Sequence, residues 1–218
     1  MADTSSEAET RATEETAFYH EAALNAAWTG SRLAIGALSF LFGAFGFAYF
    51  YLFSSNGHNM WLPSSTRIPS NHYGEAIVGL VVLSAVIQTA GLQLIKGGKK
   101  DVWFVSAAVA LVFGLAAVAL QLVELLNLPF QPGQSGFASV FTGFYPVALV
   151  TWLVAMIWLE ILLARSRSIP AISFVEQPPT YAETQQVQRF QSALSGFTVV
   201  WNYLAIVTFI FWLLFYVR

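Results

Sequence analysis

The chain is predicted to be an all-α polytopic membrane protein, a bundle of five transmembrane helices, on three observations. Its 218 residues are 56% hydrophobic and only 10% charged, and its mean hydropathy of +0.61 lies outside the usual balance of a soluble domain. Five apolar runs are each long enough to cross a hydrocarbon core of ~30 Å, which takes about 20 helical residues. These runs do not alternate between polar and apolar residues as the strands of a membrane barrel would, so helices are what satisfies their backbone in lipid.

Residues 1–31 precede the first run, and "MADTSSEAETRATEETAFYHEAAL" is rich in Asp, Glu, Ser and Thr. It lacks the cationic segment of a secretory signal and the acid-poor character of a transit peptide, and is read as a retained acidic cytoplasmic tail. Phe18, Leu24 and Trp28 would allow a short interfacial helix; a mobile tail fits the composition equally well. The first span, 33–53, carries Gly36, Ala37, Gly43, Ala44 and Ala48 opposite bulky phenylalanines, a small face suited to helix contact. An outer loop with Gly57, Trp61, Pro63 and Pro69 follows and is expected to be ordered. Span two, 76–95, is joined by "KGGKKD" to span three, 102–126, a link short enough to require an antiparallel hairpin. Span four covers 137–164 and span five 197–217; between them, residues 165–191, with Pro170, Pro178 and Pro179, form the longest and most polar connection. Residues 32–218 thus make one transmembrane domain.

Orientation follows from the basic residues. Arg11, Arg32, Lys96, Lys99, Lys100, Arg165, Arg167 and Arg189 fall on the side of the N-terminus, and only Arg67 and Arg218 fall opposite. By the positive-inside rule this predicts a cytoplasmic N-terminus and an outside C-terminus, and an odd number of spans agrees with termini on opposite sides. A net charge of −2 predicts no attraction to nucleic acid.

Cysteine is absent, which excludes thiolate nucleophiles, iron–sulfur clusters and cysteine-ligated metals. The histidines are His20 in the tail and His58 and His72 in the outer loop, so no span is expected to hold one, and neither haem nor copper is expected on this chain. His58 and His72 could supply half of an outer metal site or simply be solvated loop residues. No phosphate-binding glycine loop or nucleophile–base arrangement is found, so no catalytic residue is assigned and enzyme activity is not expected of the chain alone.

What remains is polar residues within the spans: Gln88 and Gln93, Gln121 and Glu124, Glu160, and Asn202. Ionisable groups at membrane depth face protein or water. Glu124 lies about 4–5 Å below Asn127 along the helix axis and so near the outer interface; Glu160 lies near the inner end. Either could be an interfacial carboxylate paired with a neighbour or part of a proton relay. Steps of three and four from Glu124 give Gln121, Ala117, Gly114, Ala110, Ala107 and Trp103, one small or polar stripe. Close helix approach with interhelical hydrogen bonds is its expected use.

The region "LQLVELLNLPFQPGQSGFASVFTGFYPVALV" resembles subunit III of haem-copper terminal oxidases, in the order Leu120, Gln121, Glu124, Pro129, Phe130, Thr142, Gly143, Phe144. "KGGKKDVW" is similar to that family's basic turn, and "VVWNYLAIVTFIFWLLFYV" to its final helix, with Trp201 and Asn202 at a Trp-His pair. Five helices match the short form of the family. The sequence departs from the pattern where the family's histidines fall at Tyr145 and Ala148, its glycine at Pro146, its first-helix carboxylate near Leu38 and its last-helix aspartate near Ala205.

The resemblance implies a non-catalytic accessory subunit in a prokaryotic plasma membrane, packed beside the haem- and copper-bearing subunits I and II, stabilising subunit I and supporting proton uptake and aerobic electron transport. It also implies bound phospholipid. Gln121, Glu124, Thr142, Gly143, Tyr145 and Asn202 are then packing residues, and Gly36, Gly43, Gly114 and Glu160 candidate contacts to lipid or a partner subunit. Two other readings compete: a small transporter or channel with Gln88, Gln121, Glu124 and Asn202 along a polar path, and an assembly scaffold of another complex. Acidic residues near helix ends and five spans that do not divide into two repeats disfavour the transporter.

Overall fold

The computed structural model describes residues 3–57, 60–63, 67–170 and 181–217, with backbone only for 3–13, 181 and 182. It is all-α: α1 (Asp3–Ser54), α2 (Asn71–Lys96), α3 (Lys100–Leu126), α4 (Gly136–Ser166) and α5 (Tyr181–Tyr216). Each contains a stretch long and apolar enough to cross a membrane. Around the bundle the packing order is α1, α5, α2, α3, α4 and back to α1, and α4 and α5 also touch each other. His58, Arg218 and residues 171–180, with Pro178 and Pro179, lie outside the described residues, as does the side chain of Arg11.

Chain direction is legible from the contacts. In α1 and α5, His20 meets Gln185, the Trp28 N–H donates to Ser192, Ser39 donates to Tyr203 and Tyr49 donates to the Leu214 carbonyl. The sequence offset is 164 or 165 each time, so the two helices run parallel, as first and fifth spans of an up-down bundle must.

Short connections hold the rest antiparallel. Gly98 stands at φ +79°; its N–H donates to the Ile95 carbonyl at 2.9 Å, and the Lys99 N–H to the Leu94 carbonyl at 3.0 Å. That is a Schellman motif, which needs the left-handed backbone glycine adopts without strain. Lys100, one residue on, donates its ammonium to the Ile169 carbonyl beyond α4. At the opposite end, Ser135 caps α4 by accepting from the Ala138 N–H at 3.1 Å. The Gly136 and Phe137 N–H groups donate to the Met60 and Trp61 carbonyls, so the outer loop satisfies donors a helix start leaves open. Trp61 is correspondingly buried.

Several expectations need correction. At 1.5 Å per residue, α1 is about 78 Å long and passes without interruption through residue 31, where the tail was divided from the first span. Helix α5 begins at Tyr181, so 181–191 is not loop; Val187, Phe190 and Leu194 are buried, a spacing of three and four that gives this polar segment a packing face. His72 sits in the first turn of α2 and His20 within α1, because the helices extend beyond the apolar runs. On α1 the packing face is not the glycine stripe: Phe42 is buried, and Ile35, Leu38, Phe45, Ala48 and Tyr49 pack on the core. Gly36, Ala37, Gly43 and Ala44 face outward. Only 6% of its apolar window is buried against 33–50% in the other helices, so α1 is the outermost span.

Candidate functional site

The stripe read on α3 is its packing face: Trp103, Ala107, Ala110, Gly114, Ala117, Gln121 and Glu124 are all buried. Small residues there allow close approach. A Cβ on Gly114 would lie 3.1 Å from Met156 Cε of α4 and 3.3 Å from the Trp201 ring of α5. Gly114 is therefore an interior contact, not one to lipid or a partner, because the groove it leaves is filled by this chain's own side chains.

At the end of that stripe, three helices meet on Glu124, which is only 3% exposed. Tyr145 of α4 donates to Oε2 at 2.7 Å and Tyr216 of α5 donates to Oε1 at 2.5 Å. The two hydroxyl oxygens also stand close to each other. Each carboxylate oxygen thus has its own donor, which offsets the desolvation that would otherwise expel the group from such a place. Aromatic packing fixes both donors. Tyr145 stacks on Phe141 with ring centroids 4.1 Å apart, Phe141 meets Phe215 at 5.0 Å, and Phe144 stacks on Phe211 at 3.9 Å. Phe137, Phe141, Phe144, Tyr145, Phe211 and Phe215 are all buried core residues.

The other sequence-selected polar residues are dispersed. Asn202 donates to Thr89 of α2 at 2.9 Å. Thr142 returns its hydroxyl to the Ala138 carbonyl of its own helix at 2.7 Å. A Cβ on Gly143 would lie 3.1 Å from Phe45 Cε1, so this glycine seats α1 on α4. Gln88 is fully buried, and neither of its amide atoms has a hydrogen-bond partner among the described residues. Gln93 and Glu160 are exposed. The structure brings together Glu124 and Tyr145 with Gln121 close by, and leaves Asn202, Thr142 and Glu160 apart from them.

Tyr216 and Ser84 were not singled out from sequence. Tyr216 belongs to an aromatic helix end that reads as an interfacial anchor, and nothing local distinguishes a tyrosine facing protein. Ser84 donates to the Ala110 carbonyl at 2.7 Å and accepts from Trp201 Nε1 at 3.1 Å, tying α2, α3 and α5; a lone serine in an apolar run carries no such signal. Chemically, the Glu124 arrangement is a satisfied acceptor between two donors. Among the described residues no group of three or more His, Cys, Asp or Glu side chains could hold a metal ion. No family model matches the chain, and no curated protein matches it in sequence.

Proposed function

We propose that the chain is a non-catalytic accessory subunit, of the subunit III type, in a haem-copper terminal oxidase of a prokaryotic plasma membrane. On this reading it packs beside subunits I and II, which hold the haem and copper, and supports proton uptake and aerobic electron transport. The observation that carries the proposal is the ordered likeness from Leu120 to Phe144. Its supporting observation is that Glu124 and Tyr145, at two of the motif's key positions, are hydrogen-bonded to each other across α3 and α4. The residue that departs from the family pattern at 145 thereby still serves the motif's glutamate. The outermost helix, α1, offers an uncommitted apolar face that includes Gly36, Phe40, Gly43 and Phe47, suited to a partner subunit or lipid. Purification from native membranes in mild detergent should recover the chain with haem-bearing partners, and deletion should lower oxygen consumption. Recovery without haem, with respiration unchanged on deletion, would refute the assignment.

A further inference from the structure

Beside the Glu124 pair, α2, α3, α4 and α5 line a small, partly open cavity of about 20 Å³. Its lining includes Gly74, Gln121, Tyr145, Thr208, Trp212 and Tyr216. Roughly 10–15 Å³ of such volume admits one water molecule, provided two to four polar groups face it.

The hydrogen-bond inventory of the lining is uneven. Thr208 is committed, donating to the Leu204 carbonyl and accepting from Trp152 Nε1. Tyr145 and Tyr216 donate to Glu124, and a phenolic oxygen retains acceptor capacity after donating. Trp212 Nε1 is buried with no acceptor among the described residues. Gln121 is 3% exposed and lines the same cavity. The indole N–H is therefore an open donor, and the Gln121 amide and the tyrosine oxygens belong to the same lining. A single water can accept from the indole N–H and one further donor and donate to two of the acceptors there. Gly74 keeps the space available, since a Cβ there would stand 2.9 Å from Trp212 Cδ1 and from Tyr216 Cε2 and Cζ.

We propose that this cavity is a binding site for one ordered water molecule, held by Trp212 Nε1–H and the Gln121 amide and donating to a tyrosine oxygen of the Glu124 pair. The water joins Gln121 and Trp212 to Glu124, Tyr145 and Tyr216 as one network across α3, α4 and α5; a bridging water is nearly as favourable as a direct hydrogen bond. The inference does not depend on the oxidase reading. The full chain in lipid nanodiscs, with ¹⁵N-labelled indoles and the Trp212 signal assigned from Trp212→Phe, tests it. The Trp212 N–H should show a magnetisation-transfer cross-peak to water that falls severalfold in Gln121→Leu. No cross-peak in the wild-type protein, or one unchanged in the variant, would overturn the proposal. If Gln121→Leu does not fold, a wild-type density map at a resolution that shows waters decides: a peak within hydrogen-bond distance of both Trp212 Nε1 and the Gln121 amide is expected, and a map without one overturns it.

Discussion

Glu124 shows how a carboxylate can be accommodated at the buried end of an apolar helix when each oxygen has its own donor. Both its oxygens receive a tyrosine hydroxyl, so shape and hydrogen bonding matter more there than net charge. In Glu124→Gln the amide oxygen can still accept from one tyrosine while the amide N–H donates to the other, and stability should fall by no more than about 1 kcal/mol. Glu124→Leu leaves two buried hydroxyls with only each other and should cost about 1–3 kcal/mol. Denaturation of the two variants in detergent, compared with the wild type, measures the difference. On the oxidase reading proposed above, equal loss of oxygen consumption in both variants with assembly intact would instead establish a role for the charge itself.

At the level of helices, the crossing of α1 with α5 depends on a contact between small residues. A Cβ on Gly196 would collide with Ser31 Oγ and lie 3.0 Å from Ser31 Cβ and 3.1 Å from the Ala27 carbonyl. Part of that obstruction is backbone, so a rotamer change cannot relieve it. Gly196→Ala should push the two helices apart and destabilise the chain by about 1–3 kcal/mol, the usual cost of overpacking. Adding Ser31→Ala should recover only part of the loss, since the Cβ and the carbonyl remain. Gly43→Ala, where nothing lies within 4 Å of the added carbon, should leave the isolated chain unchanged. Thermal unfolding of the purified variants separates these outcomes, and a defect of Gly43→Ala confined to complex formation would identify its face of α1 as a partner contact.

For the molecule as a whole, parallel α1 and α5 put the start of the chain and its end at opposite ends of the bundle. Lys96, Lys99, Lys100, Arg165, Arg167 and Arg189 all lie at the end from which α1 enters, the distribution that the positive-inside rule places in the cytoplasm. Reporter fusions should accordingly be active as cytoplasmic markers at residue 98 and as external markers after residue 217, and the reverse pattern would invert the topology. The helical extensions of α1 and α5 add to this end, where Arg32 covers the Trp28 ring at 4.7 Å.

The number of helices, the approximate limits of α2, α3 and α4, and the buried face of α3 were legible because the backbone in lipid has few alternatives and because helical periodicity collects Trp103 to Glu124 on one stripe. The antiparallel pairing of α2 and α3 was readable from the shortness of their link. The small stripe of α1 was misread for a specific reason: lipid and protein interior are both apolar, so hydrophobicity cannot say which face packs, and in α1 large residues such as Phe42 fill the contact while Gly36 and Gly43 point away. Likewise the polar start of α5 is held by burial of Val187, Phe190 and Leu194, which its mean composition conceals. The sequence by itself determined a five-span chain whose third helix ends in a carboxylate on a small-residue seam. Only the tertiary structure decided that Tyr145 and Tyr216 satisfy that carboxylate, since their pairing spans 21 and 92 residues and follows from helix packing that no local pattern encodes.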